Sequence, residues 1–186
     1  LDHANVHGSH VIDIGAADGK VLLAALGSGA VSAYGVEVAG SALENKFTNM
    51  VHKLRSNNVI DSGQATDLRC KVDIASLPKK CGDTLEGMLT HYFPSEFVQD
   101  GTTIVVAVWH GFTIDAKQAL LRSLAKSRIV DRFVVVGPYN FPYGKAEDIL
   151  AFLKSEKCKW RPRTLHQFKV KLSGGGETHR ATVIGK

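Results

Sequence analysis

The chain has 186 residues, of which 44% are hydrophobic and 22% charged, a balance that supports a single folded domain and excludes a disordered chain. Its longest apolar stretches, Thr103 to Trp109 and Phe133 to Val136, fall far short of the roughly 20 residues that cross a bilayer, so no membrane partner is expected. The net charge of +5 hides an asymmetry: through Asp115 there are 8 basic against 13 acidic residues, and beyond it 15 against 5.

Apolar runs alternate with helical patterns along the whole length, the signature of a mostly parallel α/β sheet. His10 to Ile14 reads as the first strand. Lys20 to Leu26 follows as a helix stopped by Gly27, Ser28 and Gly29. Val31 to Val36 is a second strand, and Ser41 to Arg55 a helix with Leu43, Phe47, Met50, Val51 and Leu54 along one face. Leu68 to Ile74 reads as a third strand. Between Pro78 and Asp100, Leu85, Met88, Leu89, Phe93 and Phe97 suit a helix that Pro94 interrupts or ends. The continuous, β-branched run Thr103 to Trp109 is a central strand covered on both faces. A helix over Asp115 to Ala125, a strand over Arg132 to Val136 and a helix over Lys145 to Glu156 come next. Leu165 to Leu172 and Thr178 to Ile184, joined through Gly174, Gly175 and Gly176, close the chain as an antiparallel hairpin.

The chemistry is concentrated in Val11-Ile12-Asp13-Ile14-Gly15-Ala16-Ala17-Asp18-Gly19-Lys20, a strand, a turn of small residues and a helix start. In a doubly wound sheet ligands lie beyond the C-terminal ends of the strands, and a turn without bulky side chains lets a cofactor approach the main chain. Glu37, in Tyr34-Gly35-Val36-Glu37-Val38, ends the second strand, where a carboxylate accepts hydrogen bonds from both hydroxyls of a ribose. A dinucleotide fingerprint starting at Gly15 would need glycines at 17 and 20, where Ala17 and Lys20 stand. Asp13 and Asp18 would also repel a pyrophosphate. A ligand with ribose hydroxyls and a positive charge fits better.

Asp13-Ile14-Gly15-Ala16-Ala17-Asp18-Gly19 followed by a strand ending in Glu37 resembles the first two motifs of the class I S-adenosylmethionine-dependent methyltransferases, with Ala17 in place of a glycine. The likeness covers nearly the whole chain. It implies a seven-stranded, mostly parallel, Rossmann-like α/β sheet with a C-terminal antiparallel hairpin, and S-adenosyl-L-methionine as cofactor. It implies that Asp13, Gly15, Ala16, Ala17 and Gly19 line the methionine side, that Glu37 with Val38 holds the ribose, and that Asp73 meets the adenine amine. A weaker likeness, carried by the glycine turn and Tyr34-Gly35-Val36-Glu37, is to the non-SET histone-lysine methyltransferases of telomeric silencing. Those carry asparagines after the fourth strand, where this chain has Trp109, His110 and Gly111.

Methyl transfer needs alignment of donor and acceptor and, for ionisable acceptors, loss of a proton. Trp109, His110, Phe112 and Tyr139 are therefore the candidate catalytic and acceptor-facing residues: aromatic walls and one imidazole at the ends of strands that open onto the Gly15 turn. Tyr143, in the loop Pro138-Tyr139-Asn140-Phe141-Pro142-Tyr143, joins this rim. The Asn-Pro-Pro-Tyr or Asp-Pro-Pro-Tyr motif of exocyclic-amine DNA methylation, a Pro-Cys pair and a Lys-Asp-Lys-Glu tetrad are all missing where they are needed. The acceptor is expected to be a macromolecule, protein lysine or nucleic acid, and the alternative is a non-catalytic module of the same fold that binds RNA or protein. Lys157, Lys159, Arg161 and Arg163, interleaved with Trp160 and Pro162, form a candidate nucleic-acid stripe, expected to flank the rim.

Cys70, Cys81 and Cys158 are widely spaced and odd in number, which suggests neither a disulfide framework nor a zinc site; no metal is expected, and the compartment is read as intracellular, cytoplasm or nucleus. Leu1 in place of Met, with a core strand as early as His10, is read as a single domain cut from a longer polypeptide with flanking domains.

Overall fold

The computed structural model describes residues 4–38, 40–74, 85–93, 101–171 and 178–186. In chain order the elements are β1 (His10–Ile14), α1 (Lys20–Gly27), β2 (Ser32–Val36), α2 (Ser41–Ser56), β3 (Ala65–Arg69), α3 (Leu85–Tyr92), β4 (Thr103–Val108), a 3₁₀ turn (Trp109–Gly111), α4 (Ile114–Lys126), β5 (Val130–Gly137), α5 (Ala146–Ser155), β6 (Arg163–Lys171) and β7 (Thr178–Gly185). They build one seven-stranded sheet of order β3-β2-β1-β4-β5-β7-β6. The first five strands of that order run parallel, and β7 runs antiparallel to both β5 and β6.

Both faces of the sheet are covered, which is why β4 is apolar from Ile104 to Val108: Ile104, Val105 and Ala107 are fully buried and Val106 is 2% exposed. One face, with Ile12, Ile14, Val105, Ala107 and Phe133, packs on Leu85 and Met88 of α3, Leu121 of α4 and Ile149 and Leu153 of α5. The other, with Val11, Ala33, Ile104, Val106 and Val183, packs on Leu22 and Leu26 of α1 and Phe47 and Val51 of α2.

This topology places the site. The chain leaves β1 toward β2 and β3 on one side, and leaves β4 toward β5 on the other, so the adjacent C-terminal ends of β1 and β4 form a switch point where a crevice must open.

Two expected elements shift. β3 is Ala65–Arg69 rather than Leu68 to Ile74, because Lys71 takes a left-handed φ of 65° that ends the extended run. Thus Asp73 lies in the irregular segment beyond the strand. β4 stops at Val108, and Trp109 begins the 3₁₀ turn. Pro78, Cys81, Pro94, Phe97 and the glycines 174 to 176 lie outside the described residues.

Candidate cofactor and acceptor site

A cavity of about 670 Å³ opens at the switch point, within the 300–1,000 Å³ range of small-molecule sites. Its wall is built by Asp13, Gly15, Ala16, Ala17 and Asp18 after β1, Lys20 and Val21 of α1, Glu37 and Val38 after β2, Asp73 and Ile74, and Val108, Gly111, Phe112, Thr113 and Ala116 after β4. Seven of the eight residues expected to touch cofactor therefore share one cavity. The eighth, Gly19, lies beneath it: Phe47 of α2 occupies the space that a β-carbon at Gly19 would need, at a φ of +78°. Gly15, at φ +81°, is crowded by the Phe112 ring, which would stand 2.6 Å from an added β-carbon. This close approach joins the β1 turn to the loop after β4.

Asp13 is 1% exposed, and its Oδ1 has no hydrogen-bond partner. Burial, reinforced by the nearby Glu37 carboxylate, raises its pKa from 3.8 to about 7. A buried carboxylate without a partner is costly, and a cationic ligand group in the cavity would relieve that cost. Glu37 is held differently. Its Oε2 accepts from the Ala17 N–H at 2.6 Å and its Oε1 from the Val38 N–H at 2.7 Å, so both oxygens are fixed at the cavity wall with lone pairs left for hydroxyl donors. The strand below steadies this residue, since the Glu37 N–H donates to Arg69 O and its carbonyl accepts from the Val72 N–H. Asp18 is engaged by Lys46 at 2.9 Å and Lys20 at 3.3 Å. Burial acts to raise its pKa, but the two lysines outweigh it and hold the carboxyl below its ordinary value.

The residues expected to face the acceptor divide. Phe112 lines the cavity. Trp109 does not: it is 2% exposed and packs in the core, its ring centroid 5.9 Å from that of Phe133 and 6.2 Å from that of Tyr143. The reason is strand alternation. Trp109 shares the parity of Val105 and Ala107, which face α4, whereas Val108 points to the cavity side. The expectation of an acceptor-stacking Trp109 is corrected to a core residue. His110 is exposed but is not among the cavity-lining residues, and its Nδ1 lies 3.4 Å from Nε2 of the buried His179 on β7. Tyr143 is half-buried against Trp109 and Phe152 and accepts a hydrogen bond from Gln118, so it pins its loop. Tyr139 stays 40% exposed, with Arg180 and Lys145 over its ring at 4.2 and 5.3 Å.

The stripe from Lys157 to Arg163 is also corrected. Arg163 pairs with Gly185, which pairs with Arg132 at the start of β5, and the Lys159 N–H donates to Ala125 O at the end of α4. That stripe occupies the opposite edge of the sheet from the Gly15 turn. The antiparallel return of β7 brings His179 and Arg180 to the cavity edge instead, a placement that needs the hairpin register.

No protein-family model and no curated protein matches the sequence. Among solved structures, the chain is similar over 98% of its length to a candidate RNA methyltransferase from Pyrococcus horikoshii, covering 76% of that chain, with a TM-score of 0.59 and 16% identity. Over 99% of its length it is similar to an rRNA methylase from Streptococcus thermophilus, covering 91% of that chain, with a TM-score of 0.53 and 14% identity. A third, the candidate methyltransferase SMU.776 complexed with S-adenosylhomocysteine, is matched over 98% of this chain and 46% of its own, with a TM-score of 0.57 and 11% identity. The chain shares the fold of these solved structures, the fold that the resemblance of the residues around Gly15 and Glu37 implied.

Proposed function

We propose that this chain binds S-adenosylmethionine in the cavity between β1 and β4 and transfers its methyl group to a nucleic-acid acceptor, RNA in particular. The observation that carries the cofactor assignment is the pairing of an unpartnered buried carboxylate, Asp13, with a braced one, Glu37, across one cavity. Asp13 suits an ammonium group, and Glu37 suits ribose hydroxyls. When bound, S-adenosylmethionine supplies an electrophilic methyl group on a sulfonium. The acidic wall of Asp13, Glu37 and Asp73 favours that positive charge and disfavours phosphates. Phe112, seated over Gly15, walls the cavity where the loop after β4 meets the cofactor turn and excludes water there. The choice of RNA is supported by the names of the structural neighbours, an RNA methyltransferase and an rRNA methylase among them, and by the excess of basic residues beyond Asp115.

The test of the cofactor site is isothermal titration with S-adenosylmethionine. Glu37→Ala removes a doubly hydrogen-bonding carboxylate and should weaken binding at least ten-fold, corresponding to roughly 1.5–3 kcal/mol. Undiminished affinity in that variant, or no binding to the parent chain, would overturn the assignment.

A second reading, a non-catalytic module that retains the cofactor, is favoured by one observation. Among the described residues no histidine lines the cavity, because His110 faces His179. Transfer of labelled methyl from the cofactor into fractionated RNA, DNA and protein separates the two readings.

A further inference from the structure

We infer that single-stranded RNA lies across the C-terminal edge of β5 and the adjoining ends of β7 and β6, with its phosphates on Arg180, Lys145, Lys169 and Lys171 and its bases against Tyr139 and Phe141. The inference rests on the methyltransferase reading above and assigns the surface that presents the acceptor.

The register of the terminal hairpin carries it first. Arg180 of β7 stands directly opposite Lys169 of β6, so both side chains share one face of the sheet, and Lys171 follows two residues on with the same parity. Like charges at directly opposed positions destabilise a sheet, and they are tolerated where an anion neutralises them. Among the described residues, none of Lys145, Lys169, Lys171 and Arg180 takes part in an ion pair. Arg180 and Lys145 both stand over the Tyr139 ring instead, and Phe141, two residues along, is 58% exposed. Cations interleaved with accessible aromatic rings are the composition that grips a strand by its phosphates and stacks its unpaired bases. Glu147 and Asp148 at the start of α5 are the nearest acids in sequence to Lys145, and Asp148 lines a separate groove with Tyr143 and Phe152.

Continuity with the cavity is the second argument. Gly111 and Phe112 line the cavity, His110 beside them meets His179, and the next residue on β7 is Arg180. His179 and Arg180 point to opposite faces of the sheet, and Arg180 pairs with Gly137 at the C-terminal end of β5, so a strand held on the platform lies along the same edge of the sheet onto which the cavity opens. Charge is segregated accordingly, with acids around the cofactor and bases around the platform. This arrangement also decides between the two acceptors: a lysine-rich protein tail would be repelled by the platform, whereas a polyanion is drawn to it.

The experiment is fluorescence anisotropy of a labelled, unstructured 12-nucleotide RNA with the full 186-residue chain across a salt series. Arg180→Glu with Lys169→Glu should weaken binding at least ten-fold and flatten the salt dependence by about 1.4 log units per log unit of salt, the contribution of two phosphate contacts on a single strand. Phe141→Ala with Tyr139→Ala should weaken binding about five-fold or more with the slope retained. Lys159→Glu with Arg161→Glu, on the far edge, serves as the control and should stay within two-fold. Because charge reversal can perturb the hairpin, Arg180→Gln with Lys169→Gln is measured alongside, with an unchanged melting temperature required. S-adenosylmethionine affinity is titrated in every variant: loss of cofactor binding in the parent chain would sink the methyltransferase reading, whereas intact cofactor binding with unaltered RNA affinity in the platform variants would overturn this proposal alone. Tighter binding to the matching single-stranded DNA, or to an acidic peptide, would also overturn it.

Discussion

At the scale of single residues, Asp13 concentrates the physics of the site. Its folded-state pKa of about 7 lies above the ordinary 3.8, so its protonated form favours the native state. That contribution is fully present below the unfolded value and is lost as pH rises through about 7. Across this interval the ligand-free domain loses about 4 kcal/mol from this one group, at roughly 1.36 kcal/mol per unit. Asp13→Asn abolishes the titration. The stability of that variant relative to the parent should therefore grow by about 2 kcal/mol between pH 5.5 and pH 8, measured by urea unfolding without cofactor. A difference that stays constant across that range would show that Asp13 titrates normally. S-adenosylmethionine affinity should move the opposite way and rise with pH through about 7, because only the ionised carboxylate attracts an ammonium group.

At the scale of elements, the turn from β1 to α1 sets how closely a ligand can approach. Ala17 takes a left-handed φ of 49°, a conformation that costs a non-glycine residue roughly 1–2 kcal/mol. Glycine at that position removes this strain but adds about 0.4–1 kcal/mol of unfolded-chain entropy. Ala17→Gly should therefore stabilise by about 0–1.6 kcal/mol and leave the backbone N–H at position 17 available to Glu37. Gly15→Ala is the contrasting case. It combines φ +81° with the Phe112 ring 2.6 Å from the new β-carbon, and should cost about 2 kcal/mol or more while displacing Phe112 from the cavity wall. Thermal melts of the two variants check the pair. Equal effects would mean that the turn relaxes freely.

For the whole molecule, binding at the switch point joins the two halves of the sheet, because the cavity wall takes residues from β1, β2 and β4 and the segments after them. A ligand that binds only the folded chain stabilises it by mass action, about 2.7 kcal/mol at a hundred times its dissociation constant. For a chain of this size that is a rise in melting temperature of roughly 5–10 °C. S-adenosylhomocysteine should produce this shift in a thermal scan, and NAD at the same concentration should not, since its pyrophosphate meets Asp13 and Asp18. A larger shift with NAD would reverse the cofactor class.

Much of this architecture is local in origin and is written in the sequence. The period of the apolar residues sets where strands and helices form, and β1, α1 and α2 lie within one or two residues of their expected bounds. Small residues from Gly15 to Ala17 and the acids Asp13 and Glu37 mark the cavity edge for a similar reason: in a doubly wound sheet the crevice lies beyond the C-terminal ends of the strands, and those ends can be located along the chain. What tertiary structure alone decides is which way a side chain faces and what comes from far away to meet it. A continuous apolar run such as Thr103 to Trp109 carries no parity signal, so only the covering by α4 turned Trp109 into the core. The antiparallel return of β7 set Arg180 opposite Lys169 and beside Tyr139, 41 residues away in sequence, while sending the stripe from Lys157 to Arg163 to the other edge. Pairing register is a non-local quantity, fixed by the burial of two sheet faces at once, and no window of residues contains it.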